Sequence, residues 1–196
     1  MRGSLTFPSR PVRARRILGI DPGTLRLGYG AVEMVGPVVV RYVECGIITA
    51  PPGHSRGERL MEIGRGLREL FAELRPDAVA MEEAFFGKNV QSALALGEAR
   101  GIVMLIAGEA GLSVCGYPPA TVKKSVVGHG RASKDQIAYL VRATLKLRRL
   151  PPPDAADALA IAICHARRGG GVPVGLTRSS GSIPSTRGQS PRSETR

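Results

Sequence analysis

The chain has 196 residues, 43% of them apolar, enough for one domain with a buried core, and its net charge of +12 sits mostly at its ends. Residues 1–16 carry five arginines and no acid, and residues 167–196 carry six arginines and one glutamate, which leaves +2 for everything between. The longest uncharged apolar run, residues 101–108, is too short to span a bilayer; the basic N-terminus lacks the apolar stretch of a secretory signal; and three scattered cysteines without CxxC spacing give neither a disulfide framework nor a zinc site. A cytoplasmic protein with no membrane partner is expected.

The elements follow in chain order. Residues 1–16 read as a disordered basic tail. RRILGIDPG predicts a short buried strand over 17–20, closed by a Pro22–Gly23 turn. LGYGAVEMV and VVVRYVECGIITA predict two more strands around a Gly36–Pro37 turn, so the domain starts as an antiparallel meander. Leu60, Ile63, Leu67, Leu70, Phe71 and Leu74 have helical spacing; Ser55 and Glu58 form a capping-box pattern ahead of them, and Pro76 stops the helix. DAVAMEEAF predicts a fourth strand running into charge. A helix over 89–109, a strand around LSVCGYPP, a short helix at TVKKSVVG, and a helix capped by Ser133 come next. The last helix is PPPDAADALAIAICHA, and residues 167–196 form a second Gly/Ser/Arg/Pro-rich tail. This alternation implies an α/β layered domain over 17–166 with a mixed sheet.

Carboxylates fall where elements terminate. Asp21 follows the first strand, Glu82 and Glu83 end the fourth, and Asp154 and Asp157 open the last helix. Strand ends on one edge of an α/β sheet are where such folds build sites, and converging carboxylate oxygens suit Mg²⁺ or Mn²⁺. Paired ions about 3.5–4 Å apart support phosphodiester cleavage. Each acid also has an ordinary reading. Asp21 fits a turn, Glu82 and Glu83 a solvated strand end, and Asp154 an N-cap with Asp157 at the third helical position. Strand alternation alone lets either glutamate face a site. Residues 118–149 add a local +7, from eight basic residues against Asp135, which suits a polyanion or a solvated face.

ILGIDPGTLRLGYG, MEEAFFGKN, ALALGEARG, VKKSVVGHGRASKDQI and DAADALAIAICHA, in this order and spacing, resemble the RuvC family of bacterial Holliday-junction resolvases over about 17–166. The resemblance implies an RNase H-like fold, a mixed five-stranded sheet flanked by helices. It implies a homodimer that nicks two symmetric strands of a four-way DNA junction, leaves 5′-phosphate and 3′-hydroxyl ends, and works with the RuvA–RuvB branch-migration complex. By the same resemblance Asp21, Glu82, Asp154 and Asp157 are catalytic and hold Mg²⁺ or Mn²⁺, two ions per site, with Glu83 at the more variable neighbouring position. Lys123 and Lys134 match junction-binding lysines, with Lys124 and Lys88 as further DNA contacts, and Phe85 matches an aromatic that stacks on an unpaired base. Ala93, Gly97 and Gly101 recur every four residues on the helix that the family uses in its dimer.

Overall fold

A computed structural model describes residues 14–35, 39–83, 90–169 and 172–173. Three antiparallel strands open the domain: β1 (Arg15–Asp21), β2 (Arg26–Val35) and β3 (Val39–Thr49). Helix α1 (Arg56–Leu74) begins at the Ser55–Glu58 capping box read from the sequence and ends at Arg75, which takes a left-handed backbone conformation (φ 45°) ahead of Pro76. Strand β4 (Ala78–Glu82), helix α2 (Val90–Glu109) and strand β5 (Val114–Tyr117) follow. Helices α3 (Pro119–Val127), α4 (Lys134–Leu145) and α5 (Pro153–Arg168) complete the layers. The sheet runs in the order β3-β2-β1-β4-β5, with β1, β4 and β5 parallel. A two-residue strand, β6 (Val172–Pro173), adds a sixth position beside β5, inside the stretch expected to be tail.

Two cores lie on the two faces of the sheet. Ile17, Ala78 and Ala80 meet α3, α4 and α5; Leu18, Ile20, Val79 and Met81 meet α1 and the far half of α2. Period-two alternation thus assigns odd positions of β1 and even positions of β4 to the α5 face. Small residues on that face let α5 sit unusually close. A Cβ on Gly19 would lie 2.1 Å from the Ala158 carbonyl oxygen, and one on Gly28 2.2 Å from that of Asp154. Eleven α5 residues from Ala155 to Ala166 are buried, so this helix is the spine of its layer.

At the end of the sheet away from Asp21, the buried Glu33 accepts hydrogen bonds from Arg16 and Arg41. These partners hold its carboxyl below the usual range. It is a neutralised structural acid. Helix α2 as a whole has the length and composition of a membrane-crossing segment, with a mean hydropathy of 1.4, although its longest uncharged run is short. Its three charged residues are tied down in the domain, Glu98 to Arg56, Arg100 to the Glu82 carbonyl and Glu109 to Arg68.

Candidate active site at the ends of β1 and β4

Alternation decides which acids meet. Asp21 continues the Ile17–Gly19 face and Glu82 continues the Ala78–Ala80 face, so both point toward α5. The pairing of Ile20 with Met81 puts them at one level. Both line a cavity of about 270 Å³ together with Lys123, Lys134 and Asp157. By the same alternation Glu83 falls on the opposite face, and it is absent from the cavity lining; its backbone N–H donates to the Tyr117 carbonyl at 2.8 Å. Glu82 is thus the glutamate that enters the site. A larger groove of about 640 Å³ lies at the other end of the sheet, between Val35, Val39 and the end of α4, with no acid in its lining. Size alone does not mark the chemistry here.

Helix α5 delivers the remaining acids, though not in the way the sequence suggested. The residue capping the helix is Pro152, without a side-chain cap bond, and Pro153 follows at its first position. Asp154 is inside the first turn, so it is not the N-cap. The two aspartates share a helix face but turn to different cations. Asp154 accepts from Arg26 Nε at 2.8 Å, and Asp157 accepts from Lys134 Nζ at 3.1 Å.

The local electrostatics are strongly negative. Burial, followed by the charges of Asp157, Glu82 and Asp154, raises the Asp21 carboxyl from 3.8 to about 7, with Lys134 opposing. Burial and Asp157 also raise Glu82, opposed by Lys123, Lys134 and Arg100. Lys134 is shifted upward by its hydrogen bond to Asp157. Among the described residues no three His, Cys, Asp or Glu side chains are gathered closely enough to hold an ion as they stand. The donor chemistry nevertheless suits a hard divalent cation, because every acid offers oxygen and a cation would offset the burial and neighbouring negative charge that raise Asp21.

Lys124 is exposed on α3 and outside the cavity lining. Phe85 and Lys88 lie outside the described residues. Two contributors were not singled out from the sequence. Arg100, buried on α2, donates to the Glu82 carbonyl oxygen and so fixes the end of β4. Its only sequence signal was a charge interrupting an apolar helix. Arg26 was an ordinary turn-flanking residue, and its partner is 128 positions away.

The family model for crossover junction endodeoxyribonuclease RuvC matches residues 17–165. A crossover junction endodeoxyribonuclease RuvC of Chloroflexus aggregans is 51% identical over 152 residues, covering 77% of this chain and 92% of the relative. One from Rubrobacter xylanophilus is 50% identical over 151 residues, covering 76% and 84%. Among solved structures, Thermus thermophilus RuvC in complex with a Holliday junction substrate superposes with a TM-score of 0.74 at 39% identity, covering 79% of this chain and 96% of that one. The yeast mitochondrial Holliday junction resolvase, at 14% identity and a TM-score of 0.58, shares the fold. With its mixed sheet, its acids at the ends of β1, β4 and the start of α5, and a match running through the folded domain, this chain belongs to the RuvC family of crossover junction endodeoxyribonucleases.

Proposed function

We propose that this protein is a divalent-metal-dependent endonuclease that resolves four-way DNA junctions by symmetric paired nicks, leaving 5′-phosphate and 3′-hydroxyl ends for ligation. The carrying observation is the cavity at the strand ends, where Asp21, Glu82 and Asp157 converge with Lys123 and Lys134. Asp21, Glu82, Asp154 and Asp157 hold Mg²⁺ or Mn²⁺, two ions per site. Bound divalent ions supply an acidified water and neutralise charge on the departing oxygen in phosphodiester hydrolysis.

The chain's own groups do the rest. Lys123 enters from α3 and Lys134 from the first turn of α4, so two cations flank a cluster of acids that would otherwise repel a phosphate. Lys134 is 80% exposed at its side chain while bonded to Asp157, so its ammonium can contact a strand without leaving the site. Both lysines position the scissile phosphate and offset charge that develops on it. Arg100 keeps Glu82 at the level of Asp21. Phe85 stacks on an unpaired base near the crossover, with Lys88 and Lys124 adding backbone contacts.

Two cuts require two sites. An apolar, small-residue face of α2 supports a two-fold homodimer: Val90, Leu94 and Leu105 are exposed, and Cβ atoms added at Gly97 or Gly101 would meet nothing within 4 Å. The dimer works beside a branch-migration complex of the RuvA–RuvB kind.

A synthetic four-way junction tests this directly. The protein with Mg²⁺ or Mn²⁺ is expected to nick opposite strands symmetrically, and Asp157→Asn to bind the junction but lower cutting by several orders of magnitude. A wild-type protein that binds junctions yet cuts none under any divalent ion would defeat the proposal.

A further inference from the structure

Arg26 enters β2 just after the turn that follows Asp21. Its guanidinium contacts Asp154 through Nε–H at 2.8 Å, with side-chain exposures of 57% and 33%. Among the described residues, Asp154 is the one of the four acids missing from the lining of the cavity. It is also the one that Arg26 holds. Among the described residues no three acids stand close enough to cage an ion, and Asp154 is engaged by Arg26 instead of joining Asp21, Glu82 and Asp157 in the cavity lining.

The backbone gives no freedom to correct this. The first turn of α5 lies directly on Gly28, whose missing Cβ leaves only 2.2 Å to the Asp154 carbonyl oxygen. Whether Asp154 faces inward or outward is therefore a matter of its side-chain rotation and of what competes for it. The pair between Lys134 and Asp157 behaves differently, because both of its members line the cavity. That pair is part of the site, whereas Arg26 draws its partner out.

We propose that Arg26 is a latch on metal loading, a positioning residue that holds Asp154 at the rim and must release it before the carboxylate can turn to a divalent cation. This rests on the reading of Asp154 as a metal ligand given above. An exposed ion pair is worth a fraction of a kilocalorie to about one, so the latch is weak enough to open yet sets the cation concentration at which the site fills.

Mn²⁺ binding to the full-length, DNA-free protein, followed by electron paramagnetic resonance of the free ion, tests the latch without reference to cleavage. Arg26→Gln is expected to bind Mn²⁺ about two- to fivefold more tightly than wild type. Arg26→Lys, which keeps the cation, is expected to stay near wild type. Lys124→Gln makes the same charge change outside the cavity lining and is expected to shift the affinity by less than half as much on a logarithmic scale. Equal affinities for Arg26→Gln and wild type would overturn the latch while leaving the metal site standing, and so would an equal shift from Lys124→Gln. If wild type itself binds no Mn²⁺, the metal-ligand reading of the acids falls, and the latch with it.

Discussion

At the Asp21 carboxyl, burial and three neighbouring negative charges work in one direction and lift its titration to about 7. The folded protein therefore holds this proton more tightly than the unfolded chain does. Stability is fully present below the ordinary value of 3.8 and falls as pH rises toward about 7, after which the loss is complete. In metal-free protein, Asp21→Asn is expected to flatten this decline. It should match wild type near pH 4 and exceed it at pH 8 by at least ~1.4 kcal/mol, about 3–5 °C in Tm for a domain of this size. Thermal melts across pH read this directly, and a variant less stable than wild type at pH 8 would contradict it. Metal binding requires the ionised carboxylate, so affinity for Mn²⁺ should climb through the same pH range. Glu33 is the contrast, because two arginines already neutralise it. Burial alone thus does not distinguish a working acid from a structural one. The identity of the neighbours does.

Helix α5 links that chemistry to packing. Gly19 and Gly28 let it approach the sheet closely enough to bring its first turn to the ends of β1 and β4. Gly19→Ala would drive a methyl into the Ala158 carbonyl, and overpacking of this kind, with rigid backbone on both sides, is expected to cost about 3 kcal/mol or more in urea unfolding. Gly28→Ala is the more informative change. Its Cβ meets the Asp154 backbone, so it should displace a site acid as well as loosen the helix, weakening Mn²⁺ binding in whatever fraction remains folded. Much at this scale was legible in the sequence. The capping box at Ser55–Glu58 and the N-cap at Ser133 mark α1 and α4 where the structure has them, because a cap is a local arrangement of residues a few positions apart; the structure adds Gln136 as the second half of a box at Ser133. Alternation alone left Glu82 and Glu83 equivalent, and only the family resemblance named Glu82, since the facing depends on which side α5 covers, and that is settled only when Ala78 and Ala80 meet a helix from the other end of the chain. Arg26 and Arg100 were hidden for the same reason, because their partners are distant in sequence and neither belongs to a periodic pattern. Strand β6 escaped notice because two residues beside glycines carry no alternation to read.

Across the whole molecule, charge and apolar surface point to different tasks. The +7 of residues 118–149 divides in three dimensions: Lys123 and Lys134 reach the cavity, while Lys124, Lys146, Arg148 and Arg149 stay on the surface. The arginine-rich ends carry most of the remaining charge, and segments of that composition contribute sequence-independent, salt-sensitive affinity for DNA. Removing residues 1–13 and 174–196 is accordingly expected to weaken all DNA binding and to reduce its salt dependence, leaving the preference for a four-way junction over a linear duplex in place. Loss of that preference in competition binding assays would assign the ends a specific role. The exposed face of α2 answers the other need. Val90, Leu94, Gly97, Gly101, Leu105 and Gly108 recur at helical spacing, and the buried positions between them, Ala99, Val103 and Ile106, already face the domain core. In the homodimer proposed above, this second stripe, apolar and with glycines at its centre, meets its counterpart on the partner helix. Leu94→Arg, 58% exposed and away from the cavity, places a charge in that stripe without touching the core. It is expected to convert a dimer to a monomer by light scattering while leaving the Tm within a few degrees. Each separated site keeps its acids, so Mn²⁺ binding per chain should be unchanged. Coordinated cutting of opposite strands should be lost, leaving single nicks in a supercoiled cruciform plasmid that the wild-type protein, as the proposed dimer, is expected to linearise. A Leu94→Arg protein that is still dimeric and still linearises the plasmid would place the two-fold contact on another surface of the domain.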